Sequence, residues 1–272
     1  MTDPVDLGGF AAKITVAGAS HVGAVRTRNE DSYLARHPFA VVADGMGGHS
    51  HGERASRCII DALSAIDETE LPSVDDVIAA IGAANTELIV SADEGTVSGS
   101  TVSGVALVRP NPTDKPHWMV FNVGDSRVYR FDGRHLEQVS VDHSVVQELV
   151  ELGHITPEAA AVHPDRNVIT RAVGSDPALD IDVWLLPADS PQTFLVCSDG
   201  LTKELDDDFI ADVLASHDAD ASGVVDALVA AALAVGGHDN ITAVLFEYIP
   251  DETGDDVTAT RQPVLEDTRP RG

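Results

Sequence analysis

Aromatic residues are scarce in this chain of 272 residues: Phe, Trp and Tyr together make up 4%. Its core must therefore be built from Val, Leu, Ile and Ala, which a hydrophobic fraction of 43% allows. The length suffices for one domain with a full core, provided the fold is a large sandwich or layered sheet. Basic residues are few against the acids, 17 Lys and Arg facing 45 Asp and Glu, for a formal charge of −28. That deficit argues against nucleic acid and anionic membrane surfaces as partners, because both are recognised by basic patches. It suits a chain that holds cations or meets basic peptides, while most of the acids simply solvate the surface. Only two cysteines occur, Cys58 and Cys197, in apolar surroundings and outside any recognisable Cys/His arrangement. Neither a disulfide framework nor a thiol nucleophile is indicated, and a reducing cytoplasm is the expected compartment. The longest apolar run, Ala227 to Val235, falls far short of the roughly 20 residues a membrane span requires. The opening Met1-Thr2-Asp3-Pro4-Val5-Asp6 is acidic where a secretory signal is basic.

What is present alternates between strand-like and helix-like blocks. Ile14 to Ala19 and Phe39 to Ala43 favour strands, whereas Ala55, Ile59, Ala62 and Ile66 recur at helical spacing from Glu53 to Ile66. Ser73 is placed to cap a helix from Val74 to Ala92, with Asp75 and Asp76 in its first turn. A β region follows: Thr101 to Val108, His117 to Val123, and Arg127 to Phe131, then Asp132-Gly133 as a hairpin signal before His135 to Val139. Ser144 to Leu152, stopped by Gly153, and Pro157 to Val162 read as short helices. Ile181 to Leu186, Thr193 to Cys197 and Ile241 to Tyr248 read as strands, and Asp206 to Ala215 and Ser222 to Val235 as helices. Runs of strands with helices grouped in pairs point to an α+β fold of antiparallel sheets covered by helices, rather than to a βαβ crossover fold. No tandem repeat is visible. Residues 1–249 form the expected domain. From Pro250 to Gly272 the composition turns to Asp, Glu, Thr, Pro and Arg, an expected disordered acidic tail. Thr258, Thr260 and Thr268 in that tail sit beside acids or arginines; they make candidate kinase sites, although a bland linker explains the tail as well.

The main chemical signal is one local design that appears twice. Phe39-Ala40-Val41-Val42-Ala43-Asp44-Gly45 and Phe194-Leu195-Val196-Cys197-Ser198-Asp199-Gly200 are both apolar strands ending in Asp-Gly. Phe121-Asn122-Val123-Gly124-Asp125 is a looser copy, and Asp239 stands between His238 and Asn240 before the last strand. Carboxylates shielded at strand ends cannot sit together ionised unless a cation compensates them. Without His or Cys such a set selects hard cations such as Mg²⁺ and Mn²⁺, and a glycine after the Asp lets backbone approach closely. One Asp-Gly alone is more often an ordinary turn; the repetition is what weighs against that. The stretch Asp44-Gly45-Met46-Gly47-Gly48-His49 fits neither a dinucleotide fingerprint nor a P-loop. His49, His51 and Glu53 match no standard zinc spacing. In Arg26-Thr27-Arg28-Asn29-Glu30-Asp31 a guanidinium offers a planar fork for phosphate oxygens, and Glu30 and Asp31 can accept hydrogen bonds from metal-bound water; a charged loop is the plainer reading of this stretch alone.

Taken in order, these segments resemble the metal-dependent Ser/Thr protein phosphatases of the PPM or type 2C family, in their bacterial branch. The matching stretches are Arg26 to Asp31, Asp44 to His49 with Gly52-Glu53, Gly99-Ser100-Thr101, and Gly124-Asp125-Ser126-Arg127. They continue with Asp142-His143-Ser144, Asn167 to Gly174, Ser198-Asp199-Gly200-Leu201, and His238-Asp239-Asn240-Ile241-Thr242. The resemblance implies a four-layer α-β-β-α sandwich with a metal cleft at one edge. It assigns Asp44 as the bridging ligand of two Mn²⁺ or Mg²⁺ ions, the Gly45 carbonyl to one ion, and Asp199 and Asp239 to the second. Glu30 and Asp31 act through bound waters, Arg26 holds the substrate phosphate, and Asp125 with Asp199 matches a third, weaker ion position. The implied reaction is hydrolysis of phosphoserine and phosphothreonine in proteins without a phosphoenzyme, by a hydroxide generated between the two ions and attacking phosphorus in line. It opposes Ser/Thr protein kinases, so the implied partners are phosphoproteins and a cognate kinase. Met46 stands where many eukaryotic members carry a His proposed as general acid, so no general acid is assigned. Residues of about 142–174 correspond to a variable flap that is expected to select substrates. Competing readings are a catalytically weak phosphoprotein-binding module and a hydrolase of small phosphate esters or cyclic nucleotides.

Overall fold

The computed structural model describes residues 5–6, 11–47, 51–67, 70–92, 98–111, 115–216 and 220–250. The expected tail with its three threonines, apart from Pro250, lies outside them, as does His49.

Two antiparallel sheets carry the fold. The first orders its strands β1 (Val5–Asp6), β2 (Ala11–His21), β12 (Ile241–Pro250), β11 (Gln192–Cys197), β8 (Arg127–Phe131) and β9 (Leu136–Gln138). The second orders β10 (Asp182–Pro187), β7 (His117–Val123), β6 (Val102–Val108), β4 (Phe39–Gly47) and β3 (Asp31–Arg36), with β5 (Ser98–Ser100) pairing the far end of β4. Helices α1 (His51–Ser64) and α2 (Val74–Val90) cover the second sheet. Helices α5 (Asp199–Thr202), α6 (Asp207–Ala215) and α7 (Ala221–Val235) cover the first. Two short helices, α3 (Val145–Glu151) and α4 (Pro157–Ala161), belong to the flap.

Strand periodicity explains why several strands are apolar throughout. In β4, Phe39, Val41 and Ala43 face α1 and α2, whereas Ala40 and Val42 enter the layer between the sheets. In β11, Phe194 and Val196 enter that same layer, and Leu195 and Cys197 turn towards α5, α6 and α7. Successive side chains point to opposite faces, and here both faces are covered. The few aromatics are concentrated where they matter: Trp118 lies 5.1 Å, centroid to centroid, from each of Phe194, Phe246 and Tyr248 between the sheets.

Helix starts follow the expected chemistry. Ser73 and Asp76 form a reciprocal capping box at α2, and Asp206 and Asp220 cap α6 and α7. Several departures from the sequence expectations occur, among them two short added strands, β1 and β5. Residues 31–36 form a strand, β3. Asp199-Gly200 opens a one-turn helix, α5, instead of making a simple turn. β12 continues beyond Tyr248 because Ile249 and Pro250 still pair with Lys13 and Ala12, so Pro250 belongs to the domain and not to the tail.

Candidate active site

The strands deliver the acids to one edge. Pairing of β3 with β4 sets Asp31 opposite Asp44. Asp199 follows β11 as the first residue of α5, Asp125 sits in the turn between β7 and β8, and Asp239 immediately precedes Asn240 and β12. Their mutual influence is the mark of a cluster. The Asp44 carboxyl is pushed well above the ordinary range, first by burial and then by Asp31, Asp199, Asp125 and Asp239. Burial is also the main cause at Asp31 and Asp125, both pushed up to about 7, with Asp199 adding to each. Asp199 and Glu30 are raised too, chiefly by burial.

Each carboxylate is held by a specific scaffold. One oxygen of Asp31, Oδ2, accepts hydroxyl bonds from Ser198 (2.8 Å) and Thr242 (2.6 Å). Its other oxygen, Oδ1, is buried and has no partner, as are Glu30 Oε1 and Asp199 Oδ1. Asp44 donates its N–H to Thr101 Oγ1 at 3.0 Å, and that hydroxyl in turn meets Ser126 at 2.8 Å. Asn240 joins three segments: its Oδ1 accepts Glu30 N–H at 2.8 Å, while its Nδ2 donates to the carbonyls of Val22 (2.9 Å) and Arg28 (2.8 Å). Removing that amide strands three backbone groups, so Asn240→Ala is expected to destabilise the protein by roughly 2–4 kcal/mol, read as a lowered urea midpoint. The glycines after Asp44 and Asp199 serve close packing as anticipated. A Cβ on Gly45 would collide with the Gly52 carbonyl, and one on Gly200 with the Asn240 carbonyl.

Two basic side chains complete the edge. Arg26 Nη2 donates to Asp239 Oδ2 at 2.9 Å from a half-exposed position. Lys203, four residues after Asp199, places its ammonium against Asp199 Oδ2 and 3.7 Å from Asp239 Oδ2. As the side chains stand, no three Asp, Glu, His or Cys groups among the described residues gather closely enough to enclose a cation. The donor set nonetheless fits one: unpartnered buried carboxylate oxygens, all-oxygen chemistry and raised carboxyl pKa values share this edge, and an ammonium already stands against Asp199.

The edge opens into a cleft of about 1030 Å³ whose walls include Arg26, Asp125, Asp199, Lys203 and Asp239, with Val146, Val150 and Arg166 from the flap. The flap's root is fixed. His143 donates its N–H to the Gly124 carbonyl at 2.8 Å and accepts the Gly124 N–H on Nδ1 at 3.1 Å, while its Nε2 meets Asp182 at 3.1 Å. Arg127 grips Asp142 through Nε and Nη2. A second cavity, of about 690 Å³ beside Lys13, Arg130 and Ile249, contains none of these acids.

Sequence reasoning named Arg26, Glu30, Asp31, Asp44, Gly45, Asp125, Asp199 and Asp239, and the fold brings them to this one edge. Arg26 is engaged with Asp239. Lys203 was missed, and its signal was the spacing Asp199–Lys203, one helical turn. The cysteines are poor nucleophiles, since burial pushes Cys58 up to about 11 and Cys197 up to about 12. Among the described residues no helix is long and apolar enough to cross a membrane.

The comparisons with known proteins agree with this geometry. The family model for protein phosphatase 2C matches residues 17–234. A serine/threonine phosphatase, stp, of Listeria welshimeri is 33% identical over 237 residues, which is 83% of this chain and 92% of that protein. The PPM Ser-Thr phosphatase MsPP of Mycobacterium smegmatis, solved with cacodylate, superposes with a TM-score of 0.76 at 38% identity, covering 85% of this chain and 97% of its own. The catalytic domain of the phosphatase PstP, solved with two manganese ions, gives 0.74 at 30% identity and covers 88% and 99%. With the family model spanning most of the chain and the sandwich, strand-end acids and ordered motifs all in agreement, the protein belongs to the protein phosphatase 2C (PPM) family, in its bacterial branch.

Proposed function

We propose that this chain hydrolyses phosphoserine and phosphothreonine esters in proteins with two Mn²⁺ or Mg²⁺ ions held by its strand-end carboxylates. The observation that carries the reading is the gathering of Asp31, Asp44, Asp125, Asp199 and Asp239 at one edge, where burial and mutual repulsion raise the first four and Asp31 and Asp199 present buried oxygens without partners. Asp44, the Gly45 carbonyl, Asp199 and Asp239 would hold the two ions, and Glu30 and Asp31 would act through bound water. Asp125, with Asp199, offers a further, weaker cation position. When bound, two such ions supply Lewis acidity and make a nucleophilic hydroxide available near neutral pH.

The protein's own part is to position and to neutralise. Arg26 has donors beyond the one given to Asp239, and its fork matches two oxygens of a phosphate at the cleft mouth. The scaffold of Thr101, Ser198, Asn240 and Thr242 holds the acids without rearrangement during reaction, which is where electrostatic catalysis gains most. Oxygen from water ends on phosphate, and the serine or threonine leaves with a proton. Met46 supplies none, and no general acid is assigned. The flap wall of Val146, Val150 and Arg166 selects the substrate, and a cognate Ser/Thr kinase in the cytoplasm provides it.

The test is hydrolysis of a phosphothreonine peptide with added Mn²⁺ and after chelation. Release of phosphate that depends on Mn²⁺ is expected. Binding of the peptide without release, or release indifferent to chelator, would reject the reading.

A further inference from the structure

Lys203 has no role in the reading above, yet it stands among the acids. The one-turn helix α5 carries it there: Lys203 donates its backbone N–H to the Asp199 carbonyl at 2.8 Å, which stacks the two side chains on one face. Its ammonium touches Asp199 Oδ2 and lies 3.7 Å from Asp239 Oδ2, and the side chain is 35% exposed. The adjacent acid cannot neutralise it, because Glu204 Oε1 is committed to the N–H of His238 (2.9 Å) and to its Nδ1 (2.7 Å). Lys203 also acts on Asp125, whose carboxyl it partly relieves. It therefore faces three of the clustered acids at once.

Charge matching gives this contact a consequence. When ionised, Glu30, Asp31, Asp44, Asp125, Asp199 and Asp239 are balanced charge for charge by two divalent ions together with Arg26 and Lys203. A third ion exceeds that balance and must approach Asp199 and Asp125 against a neighbouring ammonium. Asp199 Oδ1 is buried and unpartnered, so a ligand oxygen is present on that side; what opposes a further cation is the tethered one.

We propose that Lys203 is an internal cation that contends with a third divalent ion for Asp199 and Asp125, so that the further, weaker position at those two carboxylates stays unfilled in the native chain and two ions suffice. The proposal rests on the reading of this cluster as a cation site.

It is tested by titrating the metal-stripped full chain with MnCl₂ in a calorimeter, comparing wild type with Lys203→Met and Lys203→Gln. Because the side chain is partly exposed, both variants are expected to keep a cooperative thermal transition. Wild type should take up two ions. The variants should take up a third, or bind their weakest ion about tenfold or more tightly. Equal stoichiometry and equal constants in all three chains overturn the proposal alone, as does loss of an ion in the variants, which would make Lys203 a support for ligand geometry. Absence of Mn²⁺ binding to wild type overturns the cation site itself and the inference with it.

Discussion

Asp44→Asn is expected to lower kcat for a phosphothreonine peptide by about a thousandfold or more while leaving the fold intact. The size follows from what the carboxylate does: it is the group assigned to both ions at once, and losing an interaction made with the charge of the transition state typically lowers kcat by two to three orders of magnitude per group (about 10²–10³). Asn has the same shape, and the backbone N–H that Asp44 gives to Thr101 is untouched. Stability of the metal-free chain should not fall and is expected to rise, because a carboxyl raised by burial and by four acidic neighbours has been replaced with a neutral amide. Activity and stability thus move in opposite directions. A variant that lost both would point to a structural role for Asp44 and against the assignment.

Manganese should raise the melting temperature more at pH 8 than at pH 5. In the folded, metal-free chain Asp31 and Asp125 hold their protons up to about 7, whereas the unfolded chain releases them near the ordinary aspartate value of 3.8. Between those limits the native state binds more protons than the unfolded one, so stability declines as pH rises through that window and levels above it. A divalent ion offsets the charge that accumulates. With saturating Mn²⁺ the gain at pH 8 is expected to be roughly 5–10 °C, from a few kcal/mol of binding linkage and the usual conversion for a chain of this size. At pH 5 protons compete for the same oxygens and the gain should shrink to about 2 °C or less. Thermal melts at both values, with and without the ion, decide it. Equal shifts would mean that these carboxyls do not take part in binding the ion.

The parts of the fold that were legible in the sequence are those whose burial is simple. β7 and β8 span the segments His117 to Val123 and Arg127 to Phe131 that the sequence marks as strands, and α2 begins where Ser73 can cap it. β3 was not legible, since Asp-Ser-Tyr-Leu-Ala-Arg is mixed in character. It is a strand because Leu34 packs into the core and because its first residue, Asp31, finds Ser198 and Thr242 some two hundred positions away. The acids themselves were legible through the repeated strand-Asp-Gly design. Their supports were not: the motif residues Thr101, Ser126, Asn240 and Thr242 matter through hydrogen bonds between remote segments, which local pattern does not encode. Lys203 was hidden for a different reason, since Asp-Gly suggests a turn and a turn does not align residues four apart. Only when α5 is recognised as a helix does the ammonium come round to the acids.

The placement of β12 governs when the enzyme comes into being. This last strand lies between β2 and β11, with ten residue pairs on its β2 side alone, from Ile241 opposite His21 to Pro250 opposite Ala12. Asp239 and Asn240 immediately precede it, so the acid cluster and its amide tie are missing until β12 itself has been made. A nascent chain on the ribosome therefore carries its first sheet split in two and has no assembled catalytic edge. Insertion of one long strand, with the slow closure that such distant pairing entails, completes the sheet and starts the activity in the same event.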